Sequence, residues 1–232
     1  MSTKPQAFPT AYSYAANDPV NNVDPTGTKT VGQIWSAGVE GVKCIWSVTR
    51  RGRGLINPGD TCLLLAKYSG TVNRAVYSRY GTVGHNNSPD AFKHTLWMAT
   101  NTWVLRSAGF SMSKARRVAQ DIGNAHEASC KGDSCATEAK MDQHNNKKGR
   151  YLIKNRDTRF GPCATTDCNN RAAIDSFALR ALNIVTARRG KAYTFVDPSN
   201  YRSGLRWTDV RDSPCAYKKE CSYPFTPTRL VP

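Results

Sequence analysis

The sequence is short of acidic residues and of long apolar runs. Of its 232 residues, 33 are Lys or Arg and 17 are Asp or Glu, which gives a formal net charge of +16 at pH 7. No apolar stretch approaches the roughly 20 residues that a membrane-spanning helix needs, and no segment has the layout of a secretory signal. We therefore expect no transmembrane segment, and partners that are anionic: nucleic acid, anionic lipid, a cell-wall polymer or an acidic protein.

Close Cys-x-x-Cys pairs, the usual mark of structural zinc, are also missing. The eight cysteines include Cys44 and Cys62, and six more that fall into three close pairs. These pairs are Cys130 and Cys135, Cys163 and Cys168, and Cys215 and Cys221. Such spacing favours small disulfide-closed loops, with the connectivity left open. Since disulfides persist in oxidising compartments, we expect the protein to act in the periplasm or outside the cell.

Apolar residues at helical spacing predict a single compact domain that is mainly α-helical, with short strands and disulfide-closed loops. Its predicted bounds are 31–232, and residues 1–30 read as a leader. Helices are predicted near 31–49, from Ser88 to Gly109, over about 113–126, from 137 through 146 and beyond, and over 170–188. Residues 61–84 are left open between helix and irregular structure, and 193–196 read as a strand.

The segment that starts at Ser88 is the clearest of these helices. Ser88 is the predicted N-cap, with Pro89 in the first turn and Asp90 at the positive end of the helix dipole. A buried stripe follows at helical spacing, namely Phe92, Leu96, Ala99 and Trp103. We predict packing roles for Trp97 and Trp103, rather than substrate stacking.

Histidine is scarce, and its four residues all lie between 85 and 144, each with polar neighbours. Asp90, His94, Trp97 and Asn101 share one helix face, because positions i, i+4, i+7 and i+11 align. A later helix carries a second polar face, made of Asp142, Asn145, Asn146 and Gly149. We expect three helices to bring these groups and His126-Glu127 to one cleft, with His85 left in a loop.

Residues 12–27 read Tyr-Ser-Tyr-Ala-Ala-Asn-Asp-Pro-Val-Asn-Asn-Val-Asp-Pro-Thr-Gly. This string resembles the closing segment of the repeat core of rearrangement-hotspot (Rhs/YD-repeat) polymorphic toxins. The resemblance implies that residues 1–30 are the end of an Rhs core and a linker, and that 31–232 are the toxin domain. It also implies delivery into the envelope of a target cell by a parent shell and secretion apparatus, and a cognate immunity protein, which we expect to be acidic.

A second resemblance covers about 90–150. Its motifs are Asp90-Ala-Phe-Lys-His94-x-x-Trp97, Ala125-His-Glu127 and Met141-Asp-x-His-Asn-Asn-x-x-Gly-Arg150. They are similar to those of an uncharacterised helical family at the C-termini of polymorphic toxins. The likeness implies a functional site at these residues without fixing a reaction.

The residue types suit a hydrolase of an envelope phosphoester, such as a phospholipid head group or a lipid-linked wall precursor. The candidate catalytic residues are His94, His126, Glu127, Asp142 and His144. The same five are candidate ligands of a divalent metal such as zinc. Without a metal, His94 or His126 is the general base and Asp90 or Glu127 orients it. Candidate substrate-binding residues are Asp90, Asn145, Asn146 and Arg150.

Three alternatives stay open from the sequence. A peptidoglycan glycosidase would use Glu127 as the acid and Asp142 as the second carboxylate. A metal-dependent nuclease fits the charge, but the cysteines argue against a cytosolic target. A non-enzymatic pore-forming or receptor-binding domain is disfavoured by the lack of a long amphipathic segment.

Overall fold

The structure, a computed structural model, describes residues 43–51, 57–128, 135–159, 171–187 and 190–214. Helix α1 is described over residues 43–50. The helices that follow are α2 (Pro58–Tyr80), α3 (Ser88–Ser107), α4 (Met112–Glu127), α5 (Cys135–Leu152) and α6 (Arg171–Thr186). Strands β1 (Tyr193–Phe195) and β2 (Leu205–Trp207) pair antiparallel. The short 3-10 helices are Asn155–Arg159, Tyr201–Ser203 and Val210–Asp212. The prediction of a mainly helical domain is confirmed, and the undecided segment 61–84 is helical up to Tyr80.

Helix α3 is the centre of the domain. It packs against α2, α4, α5, α6 and β1, and every residue from Ser88 to Leu105 is buried. The predicted stripe of Phe92, Leu96, Ala99 and Trp103 lies in the core. Because neighbours surround α3 on all sides, its polar residues are buried as well, and each needs a partner inside the protein.

The N-terminus of α3 begins one residue earlier than predicted. Asn87, not Ser88, is the N-cap, and its side chain accepts a hydrogen bond from the backbone N–H of Asp90. Asn and Ser are equally good N-caps, so the sequence alone does not choose between adjacent ones. Ser88 instead forms a hydrogen bond with Asp212, which attaches the start of α3 to the last 3-10 helix.

Two glycines let α3, α4 and α5 pack closely. A Cβ atom on Gly149 of α5 would lie 2.2 Å from the carbonyl oxygen of Thr95 on α3. A Cβ atom on Gly123 of α4 would lie 3.2 Å from Asn146 Nδ2. The three helices that carry the candidate site are therefore held at close range because these two positions lack side chains.

A disulfide between Cys44 and Cys62 links α1 to α2, with 6.0 Å between the two Cα atoms. Cys135, the first residue of α5, is also disulfide-bonded. Five further predicted disulfide cysteines lie outside the described residues, namely Cys130, Cys163, Cys168, Cys215 and Cys221. Residues 1–30, including the Rhs-like string, lie outside them too.

No helix within the described ranges combines the length and the apolar character needed to span a bilayer.

Candidate functional site

An imidazole and two carboxyl groups meet in the interior where α3 and α5 pack together. His94 Nε2 lies 3.6 Å from Asp90 Oδ1 and 3.4 Å from Asp142 Oδ1. The other ring nitrogen, Nδ1, lies 3.2 Å from Asn146 Oδ1. All four residues are buried. Together with Lys93 and Glu127 they are called the acid–imidazole cluster below.

A buried ammonium group neutralises Asp90. Lys93 Nζ lies 2.6 Å from Asp90 Oδ1, and Lys93 is only 1% exposed. The backbone N–H of Asn86 donates to Asp90 Oδ2 at 2.7 Å. Burial by itself would raise the pKa of Asp90, but the nearby Lys93 charge and these hydrogen bonds bring the pKa below its ordinary value. Asp90 and Lys93 therefore form a buried ion pair at neutral pH.

His94 is neutral under the same conditions. Burial lowers its pKa to about 3, although the negative charge of Asp90 acts in the opposite direction. With Asn146 Oδ1 as the acceptor, Nδ1 of the neutral ring carries the proton. The lone pair on Nε2 then points towards the carboxyl groups of Asp90 and Asp142.

Two carboxyl groups of the cluster hold protons unusually well. Burial raises the pKa of Glu127 to about 7. Burial, followed by the negative charges of Asp90 and Glu127, raises the pKa of Asp142 well above its ordinary value. The two groups also hydrogen-bond to each other, which favours the proton on Asp142. Glu127, at the C-terminal end of α4, is the member of the pair that is partly exposed.

His126 lies at the edge of the cluster. Its ring centroid is 5.4 Å from that of Trp97 and 6.4 Å from that of His94. Trp97 is 9% exposed and belongs to the hydrophobic core, so it packs as predicted, and its ring also contacts those of His94 and His126. His126 is half-buried and contributes to the rim through which Glu127 reaches solvent.

The structure separates His144 from the cluster, which corrects the expectation that all the motif histidines converge. His144 Nε2 donates to the carbonyl oxygen of Lys191 at 2.9 Å, and the ring lies 4.1 Å from the Tyr193 ring and 5.2 Å from the Trp207 ring. Residues two apart on a helix point to different sides, so Asp142 faces the cluster while His144 faces the β-hairpin.

Asn145, expected to bind substrate, likewise contacts the β-hairpin. Its Oδ1 accepts from the backbone N–H of Tyr193 at 2.8 Å, and its Nδ2 donates to the carbonyl oxygen of Tyr193 at 2.9 Å. The side chain is fully buried, so both amide atoms are used in holding β1 against α5. Asn146 orients His94, and Arg150 lines a separate groove at the α4–α5 junction.

Asp90, His94 and Asp142 are the described residues whose positions suit a metal ion, since one ligand atom of each lies within 4.8 Å of the other two. Two of these residues, His94 and Asp142, belong to the expected ligand set of His94, His126, Glu127, Asp142 and His144, and Asp90 is the one that the set did not include. Lys93 Nζ, however, already lies beside the same Asp90 oxygen. Asp90 therefore already has a counter-charge within the cluster.

Two residues around Asp90, Asn86 and Glu138, were not singled out from the sequence. Asn86 Nδ2 donates to Glu138 Oε1 at 3.0 Å. His85, in its predicted loop, places Nε2 3.7 Å from Glu138 Oε1 and Nδ1 4.0 Å from Asp90 Oδ2. Asn86 also has a φ of 59°, in the left-handed region that Asn tolerates better than most residues. In the sequence, the adjacent pair Asn86-Asn87 was the feature that could have indicated a left-handed backbone conformation here.

Comparison with known proteins gives a single result. A family model matches residues 57–172, which run from the N-cap of α2 to the start of α6 and include the whole acid–imidazole cluster. No curated protein and no solved structure matches the chain. Because the match covers half of the 232 residues, the chain belongs to the family described as Domain of unknown function (DUF6973).

Proposed function

We propose that this domain is the toxin domain of an Rhs-type effector and that it hydrolyses a phosphoester of the bacterial envelope. The substrate is a phospholipid head group or a lipid-linked wall precursor, and Glu127 is the group that moves the proton. The observation that carries the proposal is the acid–imidazole cluster, in which residues from three helices converge with shifted pKa values. Such shifts concentrate at sites of acid–base chemistry.

Glu127 has the properties of a general base. A group with a pKa of about 7 can accept a proton from an attacking water and return it to a leaving group near neutral pH. Asp142 hydrogen-bonds to Glu127 and fixes its orientation. His94 and the Asp90–Lys93 pair hold Asp142 in place from the buried side. His126 lies at the rim, where it is placed to contact the substrate.

The compartment is proposed from two features outside the cluster. The Cys44–Cys62 disulfide fits an oxidising compartment, and the net charge of +16 favours approach to an anionic membrane or wall. The Rhs-like string at 12–27 supports delivery by a parent shell and an acidic immunity protein as the partner.

The geometry disfavours the peptidoglycan glycosidase. The two carboxyl groups of a glycosidase lie about 5 to 9.5 Å apart, so that the sugar or a water molecule fits between them. Glu127 and Asp142 instead hydrogen-bond to each other. A nuclease could use the same general base. The experiment below, rather than the geometry of the site, therefore distinguishes a nucleic-acid substrate from an envelope phosphoester.

The test compares the full chain with and without a periplasmic export signal in bacteria, together with Glu127→Gln. We expect growth to stop only on export, and we expect Glu127→Gln to lose about 100-fold or more of the hydrolytic rate while it melts within a few degrees of the wild type. Asp121→Asn is the matched control, since Asp121 lies on the same helix and pairs with Arg51. Killing without export would make nuclease action the leading function, and an active Glu127→Gln would overturn the site.

A further inference from the structure

An open groove of about 600 Å³ lies between α4 and α5, the helices that carry Glu127 and Asp142 of the acid–imidazole cluster. Its polar lining consists of Gln120 and Asn124 from α4 and of Lys140, Gln143, His144, Lys147 and Arg150 from α5. No Asp or Glu is among the described residues that line it. The groove thus combines positive charge with neutral amide groups.

Arg150 is the decisive residue of this lining. It is only 7% exposed, yet its side chain forms no hydrogen bond or ion pair with any residue that the structure describes. Burial lowers the pKa of its guanidinium group, so desolvation acts against the charge. A buried charge without a partner destabilises the fold, and Arg does not lose its proton in proteins. An anion that enters the groove supplies the missing partner and lowers the free-energy cost of burying the Arg150 charge.

The other basic residues are placed to bind the same anion. Lys140, Lys147 and Arg150 are spaced by seven and three residues, so they lie along one side of α5. Lys140 and Lys147 are exposed, and neither forms an ion pair within the described ranges. A guanidinium group binds two oxygens of a phosphate at once, and lysines add charge at the groove's edge.

We propose that this groove binds a phosphate group of the substrate, with Arg150 as the bidentate ligand and Lys147 and Lys140 as flanking charges. The assignment of this phosphate to the substrate rests on the proposed function, whereas the binding itself does not. Gln120 and Asn124 would donate to the remaining phosphate oxygens from the α4 side.

The experiment is a calorimetric titration of the full chain with pyrophosphate at fixed low salt. We expect Arg150→Gln to weaken binding about tenfold or more, since a charge-assisted hydrogen bond contributes about 1.5–3 kcal/mol. Lys147→Gln, at an exposed position, should weaken pyrophosphate binding several-fold. This variant replaces Arg150→Gln as the test if Arg150→Gln does not fold. Lys148→Gln makes the same charge change outside the groove lining and should stay within twofold of the wild type. Equal affinities for all four proteins would overturn the inference.

Two further arms identify the source of the phosphate and separate this inference from the proposed function. Vesicles of phosphatidylglycerol should displace pyrophosphate and vesicles of phosphatidylcholine should not; if neither competes, a free or water-soluble phosphate is the ligand. Glu127→Gln should bind pyrophosphate as tightly as the wild type. If binding depends on Arg150 but no envelope phosphoester is hydrolysed, the groove stands and the proposed function fails.

Discussion

The two sides of α5 differ in whether their polar and charged side chains have partners within the protein. Towards α3, Asp142 and Asn146 are buried and each meets a specific partner inside the protein. Towards the groove, Lys140, Lys147 and Arg150 carry positive charge that no described carboxylate neutralises. A buried charge that stabilises the fold has its counter-charge within the chain. A charged side chain that lines a groove without such a partner indicates that a ligand supplies the counter-charge. The following experiments test whether this contrast holds.

The largest effect is expected on the paired side. Asp90→Asn keeps the shape of the side chain but leaves the Lys93 ammonium buried without its counter-charge. Loss of one partner of a buried pair destabilises a protein by about 3–5 kcal/mol. We expect a drop of that size in the free energy of unfolding, measured by urea titration.

The double variant Asp90→Asn/Lys93→Met is the matched control. It removes both charges, so it should recover most of the lost stability, because replacement of a whole buried pair by apolar groups is often neutral. If the single and double variants are equally destabilised, Asp90 acts through its other hydrogen bonds and not through the ion pair.

A smaller loss is expected when the close contact of α5 with α3 is disturbed. Gly149→Ala places a Cβ atom 2.2 Å from the Thr95 carbonyl oxygen and 2.9 Å from Met98 Cβ. The backbone cannot yield as a flexible side chain does, so we expect a destabilisation of about 1–3 kcal/mol, as for overpacked cores. A variant as stable as the wild type would show that α5 shifts freely.

The pH dependence of stability tests the protonation of the cluster. Because the pKa of Glu127 is raised to about 7, the folded protein binds more protons than the unfolded chain from about pH 4.5 to about pH 7. The Glu127 contribution to the free energy of unfolding therefore falls as pH rises through that window. His94, whose pKa is lowered to about 3, contributes in the opposite direction.

The comparison of wild type with Glu127→Gln cancels the His94 contribution and leaves that of Glu127, together with the effect of Glu127 on the pKa of Asp142. We expect the stability difference between them to shift in favour of Glu127→Gln between pH 4.5 and pH 7 and to level off at either end. A difference that does not change with pH would mean that Glu127 titrates normally.

The smallest effect is expected from metal removal. Because Lys93 already provides a cation for Asp90, we expect a chelator to change the hydrolytic rate by less than twofold. Loss of activity that zinc or another divalent ion restores would instead give Asp90, His94 and Asp142 the role of ligands.

The sequence predicted the helices better than the contacts between them. The buried stripe on α3 and the bounds of α4 and α6 follow from apolar spacing and capping residues, and these are local properties. The convergence of His94, Asp142 and Glu127 could also be anticipated, because each lies on a readable helix face. His144 could not be placed, since its partner is the backbone of Lys191, which precedes β1 some fifty residues further along the chain.

The groove and the Lys93 ion pair were missed for a related reason. Asp90 and Lys93 are three residues apart on a helix, so their contact was readable, but the burial of Lys93 depends on neighbours from the rest of the fold. The distances between α3, α4 and α5 likewise depend on Gly123 and Gly149, where a side chain would meet a neighbouring helix. Such distances are tertiary properties, and local patterns do not encode them.

The Cys44–Cys62 disulfide affects when the domain reaches its full stability. Cys44 precedes the family-matched region, whereas Cys62 is a buried residue of α2 within it, so the bond fastens α1 to the matched region. Closing a loop of this length stabilises a fold by about 3 kcal/mol. Under reducing conditions that contribution is absent, and it is gained when the two thiols are oxidised. Oxidation thus acts as a maturation step, after which the domain is harder to unfold than the reduced chain.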